Sequence, residues 1–89
     1  MWSVRLTPIA KRQLKRLDED IRLDAVSLLL DLEDGIFPSN RVQLRKHERY
    51  ERVKFARNRF RIIYRINRKQ KTILVTRIRQ RDAETYSGF

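Results

Sequence analysis

Apolar and cationic residues alternate along the second half of the chain, from Glu51 to Tyr86. Val53, Phe55, Phe60, Ile62, Tyr64, Ile66, Leu74 and Ile78 share one parity. Arg52, Lys54, Arg61, Arg65, Arg77, Arg79 and Arg81 share the other, with Ile63 and Val75 as apolar exceptions. Period-two alternation predicts strands with one face on a core and one face in water. The pattern breaks at Arg57-Asn58 and at Arg68-Lys69-Gln70-Lys71, which gives strands over Glu51–Ala56, Arg59–Asn67 and Thr72–Arg79. Asn58 tolerates the positive φ that a tight hairpin demands.

The first half reads differently. Trp2 to Leu6 alternates as a strand, with Trp2, Val4 and Leu6 inward. Thr7-Pro8 then opens a helix, Thr as N-cap and Pro at the first helical position, where its missing N–H costs nothing. Ile9, Ala10, Leu14 and Leu17 form its apolar stripe. Asp18-Glu19-Asp20 makes the acidic start of a second helix, favourable to the helix dipole, which closes at Gly35 with Pro38 beyond. This helix carries two stripes, Ile21, Ala25, Leu28, Leu29 and Leu32 on one side and Leu23, Val26 and Leu30 on another. A helix on a sheet needs one stripe. The second must meet the first helix, or else form a docking groove for a partner's amphipathic helix. Ser39 to Tyr50 is polar and predicted irregular, with room for a short strand around Val42-Gln43-Leu44. The expected fold class is α+β in two layers, ordered strand–helix–helix–strand–strand–strand. A mainly antiparallel sheet carries a helix hairpin on one face.

Charge sharpens this picture. Of 22 Lys+Arg and 11 Asp+Glu, residues 1–40 hold 6 basic and 7 acidic groups, whereas residues 41–81 hold 16 basic and 2 acidic. The whole net excess of +11 therefore lies on the strands of the second half. Such asymmetry points to nucleic acid, a membrane surface or an acidic partner. Membrane binding needs a basic amphipathic helix, whereas these cations sit on strands, so spaced phosphates fit better. With no cysteine, no long apolar run and no signal-like start, a cytoplasmic setting is expected and no membrane partner.

Several chemistries are excluded by composition. One histidine, His47, and no cysteine leave no metal centre to build, and no cofactor is expected. His47 lies in an Arg-rich stretch and reads as a solvated residue rather than an acid or base. Gly35 and Gly88 stand at element ends, so no phosphate loop exists. A serine triad lacks its histidine. What remains is a cluster of Arg, Lys and Tyr on one sheet face. Arg grips phosphate through a planar fork of donors, and several converging on one phosphate stabilise a pentacoordinate transition state. The residues alone leave open whether this face binds RNA or also cuts it.

The element order resembles the RelE/ParE toxin superfamily of bacterial and archaeal toxin–antitoxin systems. So do Arg52-Val53-Lys54, the block Phe60-Arg61-Ile62-Ile63-Tyr64, the run Arg77-Ile78-Arg79-Gln80-Arg81 and the later Tyr86. The resemblance covers nearly the whole chain and implies a single RelE-like toxin domain over residues 1–89. Relatives of the RelE type are ribosome-dependent endoribonucleases that cut mRNA in the A site; those of the ParE type inhibit DNA gyrase. The pair Arg52 and Lys54 favours the RelE type, a type II mRNA interferase. The resemblance then implies metal-independent attack of an RNA 2′-hydroxyl on the adjacent phosphate. Catalytic roles fall to Lys54 as proton acceptor or electrostatic helper, Arg61 on the phosphorane, Arg81 on the leaving oxygen and Tyr86 in stacking or proton transfer. Arg52, Arg65, Arg77 and Arg79 are expected to bind RNA. Gln80 stands where other relatives carry His, which removes a histidine-based mechanism. The implied partners are a cognate acidic antitoxin, in a hetero-oligomer, together with the ribosome and mRNA. The alternatives are a gyrase inhibitor and a non-catalytic RNA-binding relative.

Overall fold

Ser3-Val4-Arg5-Leu6 forms β1 (Ser3–Leu6), and Thr7 then caps α1 (Pro8–Arg16) as its sequence predicts. The Thr7 Oγ1 accepts from the Ala10 amide at 3.2 Å and Pro8 opens the first turn. Next come α2 (Glu19–Glu33), β2 (Val42–Leu44), β3 (His47–Phe55), β4 (Phe60–Asn67) and β5 (Thr72–Gln80). The computed structural model describes residues 1–80. Among them no helix is long and apolar enough to cross a membrane.

The five strands form one sheet in the order β1-β5-β4-β3-β2. β1 runs parallel to β5, and the other pairs are antiparallel. Both helices cover one face of this sheet. The core between the layers joins Ala10, Ile21, Ala25, Leu29 and Leu32 from the helices to Val53, Phe55, Ile62, Tyr64, Ile66, Ile73, Val75 and Ile78 from the strands. The α+β class and the two-layer order are as expected.

α2 ends in a Schellman motif. The Gly35 amide donates to the Leu32 carbonyl at 3.0 Å and the Ile36 amide to the Asp31 carbonyl at 2.9 Å, with Gly35 at φ +76°. A left-handed residue here favours glycine, and Trp2 stands 3.4 Å from where a Cβ would go. Trp2 meets Phe37 edge-to-face at 5.2 Å, which closes this end of the core.

Three expectations are corrected. Val75, not Leu74, enters the core, because β5 carries a bulge. Ile63 pairs with Arg77 but Tyr64 pairs with Val75, so Thr76 is an extra residue and the parity of β5 reverses there. Second, β3 starts at His47, inside the stretch predicted irregular. A turn at Arg45-Lys46, with Lys46 at φ +66°, pairs Leu44 with His47. Third, the second stripe of α2 is not used in packing against α1. Leu23 is 61% exposed and Leu30 55%, because both helices lie side by side on the sheet and only one face of each is covered.

Candidate nucleic-acid interface

The face of the sheet away from the helices is built in rows by strand register. Lys54 on β3 pairs with Arg61 on β4, which pairs with Arg79 on β5. The next row is Arg52, Ile63 and Arg77. The third is Tyr50, Arg65 and Leu74, extended by Arg5 of β1. Directly opposed residues hold their Cβ atoms about 5 Å apart, so Lys54, Arg61 and Arg79 place three cationic side chains on three adjacent strands. Arg61 is only 6% exposed, whereas Arg65 at the far end of the same strand is open to solvent.

The Thr76 bulge creates this arrangement. Without the extra residue, strict alternation after Val75 would turn Arg77 and Arg79 toward the core and Ile78 toward water. The bulge is held from three sides. The Thr76 hydroxyl donates to the Ile63 carbonyl at 3.3 Å, and the Thr7 hydroxyl donates to the Thr76 carbonyl at 3.3 Å. The Ile78 amide, just past it, donates to the Gln13 Oε1 of α1 at 2.7 Å. Arg77 also donates from its guanidinium to the Thr76 carbonyl at 2.8 Å. Helix α1 thus fixes the strand that carries two of the cations.

On the core side, Glu51 is 6% exposed and accepts from the Tyr64 hydroxyl at 2.7 Å. Its second oxygen meets Arg68 at 3.4 Å, and Arg41 approaches at 3.8 Å. Burial, then the hydrogen bond to Glu51 and its negative charge, push the Tyr64 phenol far above its ordinary value, with Arg41 and Arg68 pulling weakly the other way. Tyr64 therefore stays a neutral donor.

A family model described as the ParE toxin of the type II toxin–antitoxin system parDE matches residues 4–84. The chain belongs to this family of toxins. It is a toxin of the RelE/ParE superfamily of type II toxin–antitoxin systems. No curated protein matches it. Solved structures share its fold at low identity. A RelBE toxin–antitoxin complex from Mycobacterium tuberculosis matches at 24% identity and a TM-score of 0.73, over 90% of this chain and 98% of that one. A mutant E. coli RelE toxin in the free state matches at 16% identity and a TM-score of 0.78, over 97% and 90%. The archaeal RelE–RelB complex from Pyrococcus horikoshii OT3 matches at 18% identity and a TM-score of 0.74, over 92% and 97%.

In the toxin, the structure brings Lys54 and Arg61 together, with Arg79 beside them, and puts Arg52 and Arg77 in the adjoining row. Arg65 is set apart, four residues along β4 from Arg61. Arg81 and Tyr86 lie outside the described residues. His47 is exposed, and its ring stands edge-to-face with Tyr50 at 6.2 Å. Among the described residues, no three His, Cys, Asp or Glu side chains converge as metal ligands. Sequence reasoning missed Glu51 and Gln13. Glu51 had a signal, as one of only two acids in residues 41–81. Gln13 had none, because the amide it accepts from is exposed only by a bulge.

Proposed function

We propose that this toxin is a ribosome-dependent endoribonuclease that cuts mRNA in the A site, held inactive by a cognate acidic antitoxin. The observation that carries the reading is the row Lys54–Arg61–Arg79, in which a largely buried guanidinium stands between two cations on fixed strands. Preorganised cations aimed at developing negative charge lower a phosphoryl-transfer barrier most effectively where water is excluded.

The step is an in-line displacement. The 2′-oxygen attacks the adjacent phosphorus, the P–O5′ bond breaks, and a 2′,3′-cyclic phosphate and a 5′-hydroxyl result. Lys54 stabilises the negative charge that develops on the 2′-oxygen as its proton passes to solvent, and Arg61 stabilises the phosphorane. Arg81 neutralises the charge on the departing O5′, which takes its proton from solvent. Tyr86 stacks against a base. Arg52, Arg77 and Arg79 hold flanking phosphates through charge-assisted hydrogen bonds. Weak acid–base groups suffice when the ribosome holds the mRNA in a reactive pose. The acidic antitoxin neutralises the basic face.

Arg61→Ala should lower cleavage by roughly 100-fold or more, read as the loss of in-frame cuts in primer extension on a reporter mRNA after induction. Cuts undiminished in Arg61→Ala would refute the assignment. A second reading, gyrase inhibition without cleavage, is favoured by the description of the matching family as the parDE toxin. In that case induction leaves the reporter mRNA intact and triggers DNA-damage signalling.

A further inference from the structure

The end of the sheet where β3 begins and β4 turns into β5 carries a separate cleft of about 370 Å³. It is lined by Arg49, Arg65, Ile66, Asn67, Arg68 and Lys69. Four of these six residues are cationic and none is acidic. The turn beneath them is ordered, because the Asn67 side chain accepts from the Gln70 amide at 3.1 Å. Arg68 is braced as well, by the buried carboxylate of Glu51 at 3.4 Å, which Tyr64 holds in turn at 2.7 Å. The cleft therefore has a fixed floor and one oriented guanidinium. Arg49, Arg65 and Lys69 form no ion pair among the described residues.

Position decides what such a cleft can hold. Arg61 and Arg65 are four residues apart on β4, or about 13 Å at the rise of an extended strand. A single phosphate cannot span that distance, but a linear polyanion lying along β4 on the face away from the helices meets Arg61 and Arg65. It reaches Arg49 and Arg68, which stand on the Glu51 side, by bending over the end of the sheet. Guanidinium forks match phosphate oxygens in two-point contacts.

We propose that the Arg49–Arg65–Arg68–Lys69 cleft is a second phosphate-binding site, which grips the backbone of the same RNA strand some nucleotides away from Lys54–Arg61–Arg79. It rests on the RNA-cutting reading for the polymer's identity and adds to it a strand direction, along β4, and a minimum ligand length. The cleft contributes affinity for long strands and nothing for ligands too short to reach it.

The test measures binding alone, by fluorescence anisotropy, with 2′-O-methyl RNA that has no free 2′-hydroxyl and cannot be cut. An Arg49→Gln/Lys69→Gln double variant, checked for an unchanged circular dichroism spectrum, is compared with the parent on a strand of about ten nucleotides and on a dinucleotide. For the long strand, affinity should fall roughly tenfold and the slope of log K against log salt by about 1.4, two single-strand phosphate contacts. The dinucleotide should bind both proteins equally. Equal losses on both lengths, an unchanged salt slope on the long strand, or no RNA binding by the parent would each overturn the proposal. So would a poly-glutamate peptide that loses affinity for the double variant while RNA does not. Because the probe cannot be cleaved, a positive result stands even if Arg61→Ala shows that the cutting assignment is wrong.

Discussion

Tyr64→Phe isolates one buried hydrogen bond and one buried titration. Tyr64 is fully buried, and its hydroxyl donates at 2.7 Å to Glu51, itself 6% exposed. Phenylalanine fills the same space without the donor. A hydrogen bond to a charged group contributes about 1.5–3 kcal/mol, and Glu51 keeps only its longer contacts at 3.4 and 3.8 Å. A loss of about 2 kcal/mol at neutral pH is expected, read as a lower urea midpoint at unchanged m-value. The alkaline limb gives the sharper check. The phenol's folded value lies far above its ordinary 10.0, so above pH 10 the unfolded chain releases this proton while the folded one retains it. Stability then falls with rising pH, by about 1.4 kcal/mol per unit from this group alone. The contribution is fully present below pH 10 and is progressively lost above it. Tyr64→Phe lacks that loss. A deficit of 2 kcal/mol at pH 7 is thus offset within roughly 1.5 pH units above 10, and beyond that point the variant is the more stable protein. Urea titrations between neutral and strongly alkaline pH measure the difference. Stability curves that stay parallel throughout would refute the account of a buried, neutral phenol.

Gln13→Ala removes the acceptor of the Ile78 amide and should cost about 1–3 kcal/mol, seen in thermal melts. A melt unchanged within error would show that water replaces the side chain. Gly35→Ala forces a left-handed alanine at φ +76° beside Trp2 and should cost about 1–2 kcal/mol, with Trp2 fluorescence reporting any displacement. Arg57→Gly acts in the opposite direction. Arg57 sits at φ +58° in a β3–β4 turn where Ala56 and Asn58 are also left-handed, so glycine should stabilise by a few tenths to about 1 kcal/mol in chemical denaturation.

Local chemistry made much of this fold legible. Thr7-Pro8 and Asp34-Gly35 act through atoms close in sequence, and they start and stop the helices where the residues indicate. The alternation in β4 survives because a slip there would bury Arg65 and expose Ile66. β5 defeats the period-two reading because its bulge residue, Thr76, is a good strand former with nothing local to mark it. Its reason lies at the N-cap of α1, 69 residues away, where Thr7 donates to its carbonyl. The start of β3 was hidden for a related reason. His47-Glu48-Arg49 has no apolar face to betray a strand, and its pairing is imposed by β2. The cations of the candidate site were visible individually. Their grouping was not, because the row Lys54–Arg61–Arg79 depends on register across two hairpins, whereas Arg65 shares their parity and stands elsewhere.

The parallel pairing of β1 with β5 has a consequence for how the toxin comes into being. The first strand ends at Leu6, and its only neighbour in the sheet among the described residues begins at Thr72. At a synthesis rate of about 5–20 residues per second, the 66 intervening steps take roughly 3 to 13 s. Throughout that interval Val4 and Leu6 have no strand to lie against, and Arg61 lacks the neighbour that supplies Arg79. Closing so long a loop is also entropically costly and slows folding. The nascent chain therefore displays its two helices well before it owns a finished cationic surface, and that surface is assembled last.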